Sequence, residues 1–115
     1  AQRQNSFDYD FLWNGKKIDV KTKTVINNES IPLPEYVLTI PKYSLSRQKC
    51  DSYVGIYLQK QYELGYIVGM ISKEEFKEKA TLHKKGDIDE RNNFIFLQDK
   101  WTLEIDKLES MVGYL

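Results

Sequence analysis

Cysteine is nearly absent from this chain. Cys50 stands alone, so no intramolecular disulfide and no thiolate zinc site can form. A reducing, intracellular setting, the cytoplasm, follows as the expected compartment, with Cys50 as a small buried or half-buried residue. Histidine is equally scarce. His83 has no second imidazole to build a metal site or a catalytic triad with, and it is expected as an exposed loop residue among Lys84, Lys85 and Gly86. Long apolar runs are missing too. The longest, Tyr66 to Ile71, is strand-sized, far short of the ~18 residues a spanning helix needs, so no membrane partner is expected. No basic, apolar-cored leader is visible at the start. There is no Met at position 1, and residues upstream are expected to have been removed. Only three prolines and no low-complexity stretch or internal repeat interrupt the chain, which argues against disorder. Net charge is zero, which by itself does not point to nucleic acid.

What is present suffices for one folded domain over residues 1–115: 41% of the residues are hydrophobic, enough for a core. The charge, though balanced, is unevenly placed. Residues 16–60 carry Lys16, Lys17, Lys21, Lys23, Lys42, Arg47, Lys49 and Lys60 against Asp19, Glu29, Glu35 and Asp51, whereas residues 87–115 are predominantly acidic. A basic middle of this kind allows a phosphate-binding face, and Lys23, Lys42, Arg47 and Lys49 are its candidate residues. A solvated surface with chance clustering of sign would look the same.

Alternating apolar residues predict strands at 9–13 and 18–22, and Asn14-Gly15 between them is the strongest short hairpin signal. Residues 25–34 read as a loop, 36–40 as a third strand and 42–49 as a short helical turn. Apolar strands follow at 52–59 and 64–71. Ser72 with Glu75 has the spacing of a capping box and opens a helix over roughly 73–80. A polar loop around Gly86, strands at 94–98 and 101–105, and a final helical turn within 106–115 complete the pattern. No βαβ alternation and no glycine-rich phosphate loop are seen.

A two-residue Asn-Gly loop pairs Trp13 with Lys16, Phe11 with Ile18, Asp10 with Asp19 and Asp8 with Lys21. Period-two alternation sends Tyr9, Phe11, Trp13, Ile18 and Val20 to a core face and Asp8, Asp10, Asp19 and Lys21 to the other. Directly opposed like charges weaken a sheet. A divalent cation between Asp10 and Asp19 would convert that repulsion into attraction, and two hard oxygen ligands, completed by waters and phosphate, suit Mg²⁺. Lys21, two residues beyond Asp19, is placed to hold or activate a water or to stabilise developing negative charge. Metal, carboxylates and lysine together point to phosphodiester hydrolysis. A solvent-exposed hairpin face with a weak Asp8–Lys21 cross-strand pair would show the same spacing.

The run Tyr9-Asp10-Phe11, Asn14-Gly15, then Ile18-Asp19-Val20-Lys21-Thr22-Lys23-Thr24 resembles the core hairpin of the PD-(D/E)xK nuclease superfamily. Further along, IPKYSLSRQKCDSYVGIYL, YIVGMISKEEF, HKKGD and WTLEIDKL look like small phage or prophage members of that group, so the likeness extends from Asp8 to Leu108. The resemblance implies an α/β (α+β) fold with a restriction-endonuclease-like core, a mixed β-sheet of about five strands and flanking helices. It implies Asp10 and Asp19 as metal ligands, the backbone carbonyl of Val20 as a further ligand, and Lys21 as the catalytic lysine. The cofactor implied is Mg²⁺, with Mn²⁺ as a substitute, and the partner is DNA, with a homodimer open as an assembly. Two departures stand out. No Pro precedes Asp10, and the helix that the family carries before the first strand is missing. A nuclease-fold protein that binds nucleic acid or another partner without cutting is therefore the alternative, and a structural interaction domain a third. Glu29 and Glu35 flank the loop as further acids that could approach a metal, and Asp51 is read as a turn or capping residue.

Overall fold

The computed structural model describes residues 7–25, 37–59, 64–89 and 93–109. Among these, strands dominate, accompanied by two short helices. The first hairpin joins β1 (Phe11–Trp13) to β2 (Lys16–Val25). Asn14 and Gly15 both have positive φ, 50° and 76°, as a type I′ turn requires, and the register pairs Phe11 with Ile18 and Trp13 with Lys16. β2 runs well past its partner. Its other edge pairs with β4 (Ser52–Gln59) in parallel, from Ile18↔Ser52 to Val25↔Gln59, and β4 pairs antiparallel with β5 (Leu64–Ser72). The result is a mixed four-stranded sheet, β1-β2-β4-β5.

Parallel neighbours need a crossover, and here it contains β3 (Val37–Pro41) and α1 (Lys42–Arg47). Among the described residues the chain shows no βαβ alternation, as expected, but one parallel pair with a crossover that the sequence did not reveal. A six-residue helix is too short to display a 3.6 period, and β3 belongs to a different sheet. That second sheet has the order β3-β9-β6, with β6 at Thr81–His83 and β9 at Lys100–Glu104. A small separate hairpin pairs β7 (Ile88–Asp89) with β8 (Phe94–Ile95). One sheet of about five strands is thus replaced by a mixed sheet, an antiparallel sheet and a hairpin. The expected strand at 94–98 shrinks to two residues, and the expected last helical turn is a 3₁₀ turn at Ile105–Lys107. The absence of a helix before the first strand concerns residues 1–6, outside the described residues.

The four-stranded sheet separates two apolar clusters. Ile18, Val54 and Met70 pack with Phe11, Trp13 and Ile56 on one face. On the other lie Leu38, Ile40, Leu45, Cys50, Tyr53, Ile71, Phe76 and Leu103, which joins this sheet to the second sheet and both helices. Tyr9 packs against this larger cluster and not beside Phe11, contrary to the simple alternation, because the chain has left the ladder by then. α2 (Lys73–Lys79) contributes Phe76. Its N-terminus is held as expected on one side: Ser72 Oγ accepts from Glu75 N at 3.1 Å, while the Glu75 carboxylate lies 3.4 Å from Lys79 Nζ. Ser72→Ala should therefore cost about 1 kcal/mol in urea unfolding, and Ser72→Asp should retain most of the stability. Among the described residues no helix is long and apolar enough to cross a membrane.

Candidate metal centre

β2 places Asp19 and Lys21 on one face, two residues apart. Asp19 is the register partner of Tyr53, so it shares a face with the larger core and is 5% exposed. Burial pushes its carboxyl above the ordinary range, and the charge of Asp10 adds to the rise. The hydrogen bond and charge of Lys21 and the side chain of Gln48 pull the other way. Lys21 Nζ lies 2.9 Å from Asp19 Oδ2, and apart from this ion pair that buried oxygen has no partner among the described residues. The same ammonium stands 5.8 Å from the centre of the Tyr53 ring.

Asp10 reaches this place by a different route from the one its spacing suggests. The ladder ends at Phe11, so Asp10 and Asp19 are not a cross-strand pair. Asp10 N donates to Ile18 O at 2.8 Å, and Asp10 Oδ2 accepts from Val20 N at 2.7 Å. The carboxylate occupies the position on β2 that the next main-chain carbonyl of β1 would have filled. N–H and C=O of a strand residue project to the same edge, so the Val20 carbonyl faces the side on which Asp10 sits. Two carboxylates, one carbonyl and an ammonium are thereby gathered along one short stretch of β2.

The donor set fits a hard cation. It offers oxygen only, one of its oxygens is buried with no partner among the described residues but the Lys21 ammonium, and Mg²⁺ is commonly held by one or two carboxylates, with waters and substrate phosphate supplying the rest. Among the described residues no group of three or more His, Cys, Asp or Glu side chains converges on a common point. Glu29 and Glu35 lie outside the described residues.

Other candidates sit differently from their expected positions. Asp8 lies outside β1, and its Oδ1 accepts from Lys49 N at 3.2 Å, so the ladder pairing with Lys21 is not formed. Asp51 has the structural role expected of it. Its Oδ2 accepts from Lys17 N at 2.7 Å, and its backbone bonds Lys17 O and Lys73 N, tying β2, β4 and α2 together. His83 is half-buried in β6, stacked on Phe96 at 4.6 Å with Nε2 2.9 Å from Thr102 Oγ1, and is not the exposed loop residue expected. The alternating signal of a three-residue strand is too weak to reveal this. Cys50 is buried in the larger core, and burial raises its thiol pKa. Lys23, Lys42, Arg47 and Lys49 are all exposed. Lys23 follows Lys21 on its face of β2, Lys42 and Arg47 mark the two ends of α1, and Lys49 meets the segment before β1 through Asp8.

Gln48 is the residue that sequence reasoning missed. It is 4% exposed, and its Nε2 donates to Phe7 O at 2.7 Å. Its own carbonyl accepts from Lys73 Nζ, and its side chain favours the ionised form of Asp19. A glutamine between two basic residues carries no sequence signal for such a position. Comparison of the chain with protein-family models, with curated proteins and with solved structures finds no match.

Proposed function

We propose that this chain is a metal-dependent DNA endonuclease of the PD-(D/E)xK type, of phage or prophage origin, acting on phosphodiesters in the cytoplasm. The observation that carries the reading is the Asp19 carboxylate: buried, with no partner on Oδ2 among the described residues other than the Lys21 ammonium, and with a second carboxylate near it. A buried charge whose desolvation outweighs its ion pair is costly to the fold, and pKa-perturbed groups of this kind gather at functional sites. Asp10, Asp19 and the Val20 carbonyl would hold Mg²⁺, or Mn²⁺ in its place. Bound there, the cation supplies Lewis-acid polarisation of the phosphate and acidifies a water. Lys21 has the protein's part in the chemistry. Its ammonium, partly exposed, can orient the attacking water and stabilise negative charge as it develops on the phosphate. Tyr53 and the core behind it keep Asp19 from turning into solvent. Asp10 is fixed by the Val20 N–H, so cation binding need not order it.

The alternative, a nuclease-fold protein that binds nucleic acid or a partner without cutting, is favoured by one observation. Lys21 already lies at ion-pair distance from Asp19, which neutralises part of the charge a cation would need. Nicking of supercoiled plasmid in Mg²⁺ or Mn²⁺, with EDTA as control, separates the two. Lys21→Ala should lower the nicking rate by roughly 10²- to 10³-fold. A parent protein that shifts plasmid in a salt-sensitive way but never nicks it would establish the binding module instead.

A further inference from the structure

Two aromatic rings stand in water where the segment before β1 meets α1. Phe7 and Tyr43 are 44% and 55% exposed, with ring centres 5.4 Å apart at an interplanar angle of 51°. The Arg47 guanidinium lies 5.1 Å from the Tyr43 ring, one helical turn along α1. A Tyr and an Arg four residues apart often meet on a helix, but Phe7 comes from a different part of the chain and is fastened there. Its carbonyl accepts from the buried Gln48 side chain at 2.7 Å, and the next residue, Asp8, accepts from Lys49 N at 3.2 Å. The anchor is shared with the metal centre, since Gln48 also acts on Asp19. Residues 42–49 contain Lys42, Arg47 and Lys49 and no acid. Asp10 is three residues from Phe7, at most about 10 Å along the chain and therefore within about three base steps of 3.4 Å.

We infer that Phe7, Tyr43 and Arg47 form a stacking platform for an unpaired nucleobase of the strand whose phosphate lies at Asp10, Asp19 and Lys21. This deepens the nuclease reading and rests on it for the position of the phosphate. The ligand class is single-stranded nucleic acid, or the unpaired stretch of a branched duplex. Every base has a π-face that an aromatic ring can stack on and a guanidinium can flank, while in a blunt duplex those faces are covered by neighbouring bases. Lys42 and Lys49 supply the positive charge that a phosphate backbone requires, which an apolar protein ligand would not need.

The test is anisotropy in EDTA with labelled oligothymidylate, oligouridylate and a blunt DNA duplex, together with 2-aminopurine fluorescence in a single strand. Oligothymidylate should bind more tightly than the duplex and quench 2-aminopurine on binding. The tighter of the two single strands identifies DNA or RNA as the source. Tyr43→Ala should weaken single-strand binding about 5- to 150-fold and abolish the quench, with no change in salt slope or melting temperature. Tyr43→Phe should retain both, and Arg47→Ala should lower affinity and salt slope together. Single-strand affinity within twofold of the parent in both Tyr43→Ala and Phe7→Ala, or an equal loss for duplex and single strand, would overturn the platform. If nicking in Mg²⁺ persists in that case, the platform alone has failed. Quenching by a protein that never nicks overturns the hydrolase and leaves the platform standing.

Discussion

Asp19→Asn should abolish metal-dependent nicking, by roughly a thousandfold or more, and in the same protein raise the melting temperature measured in EDTA. The two effects have one cause. Burial and the Asp10 charge raise the Asp19 carboxyl above its ordinary value of 3.8 by more than Lys21 and Gln48 lower it. The native state therefore holds the proton more tightly than the unfolded chain does. Across the window from 3.8 to that higher folded value, the native protein carries more protons, so stability falls as pH rises. Above the folded value the whole cost persists. The ionised carboxylate is a burden on the fold, and an amide of the same shape removes it. The parent should regain stability relative to Asp19→Asn as pH falls through that window. Mg²⁺ should do for the parent what the amide does for the variant. At ten times its dissociation constant it contributes about 1.4 kcal/mol, roughly 5 °C in a domain of this size. Asp19→Asn should show no such shift. Scanning calorimetry with and without Mg²⁺ checks the stability half, and plasmid nicking the other. A variant that keeps the Mg²⁺ shift, or melts below the parent in EDTA, would remove Asp19 from the cation site.

Phe76→Ala carries the other large effect. Phe76 is the one buried residue of α2. It is fully buried and meets the Tyr53 ring edge-on, centres 5.9 Å apart. Truncating a ring there removes its transfer free energy and leaves a cavity that Ile71, Leu45 and Tyr53 cannot fill without moving. The expected loss is about 3–5 kcal/mol, against a total of about 5–15 kcal/mol for a domain. Urea unfolding should show a lower midpoint at unchanged slope, and melting should fall by roughly 12–20 °C. Because Tyr53 backs both Asp19 and Lys21, the folded fraction of Phe76→Ala should also nick more slowly than the parent. A loss below about 1 kcal/mol would mean that α2 merely rests on the sheet.

The features legible in the sequence are those specified by neighbours along the chain. Asn14-Gly15 sets its own register, Ser72 announces the helix it caps, and the apolar runs of β4 and β5 leave little choice but strand. Asp19 and Lys21 share a face because strand geometry demands it. What was not legible depends on distant partners. β6 and β7 are three and two residues long and exist because β9 and β8 lie beside them. The departure of Asp10 from the ladder is a contest between a main-chain carbonyl and a carboxylate for one N–H, which alternation cannot resolve. Gln48 acquires its importance from Phe7, Lys73 and Tyr53, all distant in sequence or on other elements.

The parallel pairing of β2 with β4 has a kinetic consequence. The hairpin needs only its own turn to close, an event of about 1–10 μs for an isolated hairpin. The wall that buries Asp19 is built from Tyr53, which must be carried across the whole crossover before Asp19↔Tyr53 can form. Loop-closure entropy delays such contacts. During refolding, β1 and β2 come together first and Asp19 loses its water later. On the proposed reading, affinity for a cation would be acquired late, so binding of Mn²⁺, followed by its effect on solvent relaxation, would time the closure of the crossover and not the formation of the hairpin.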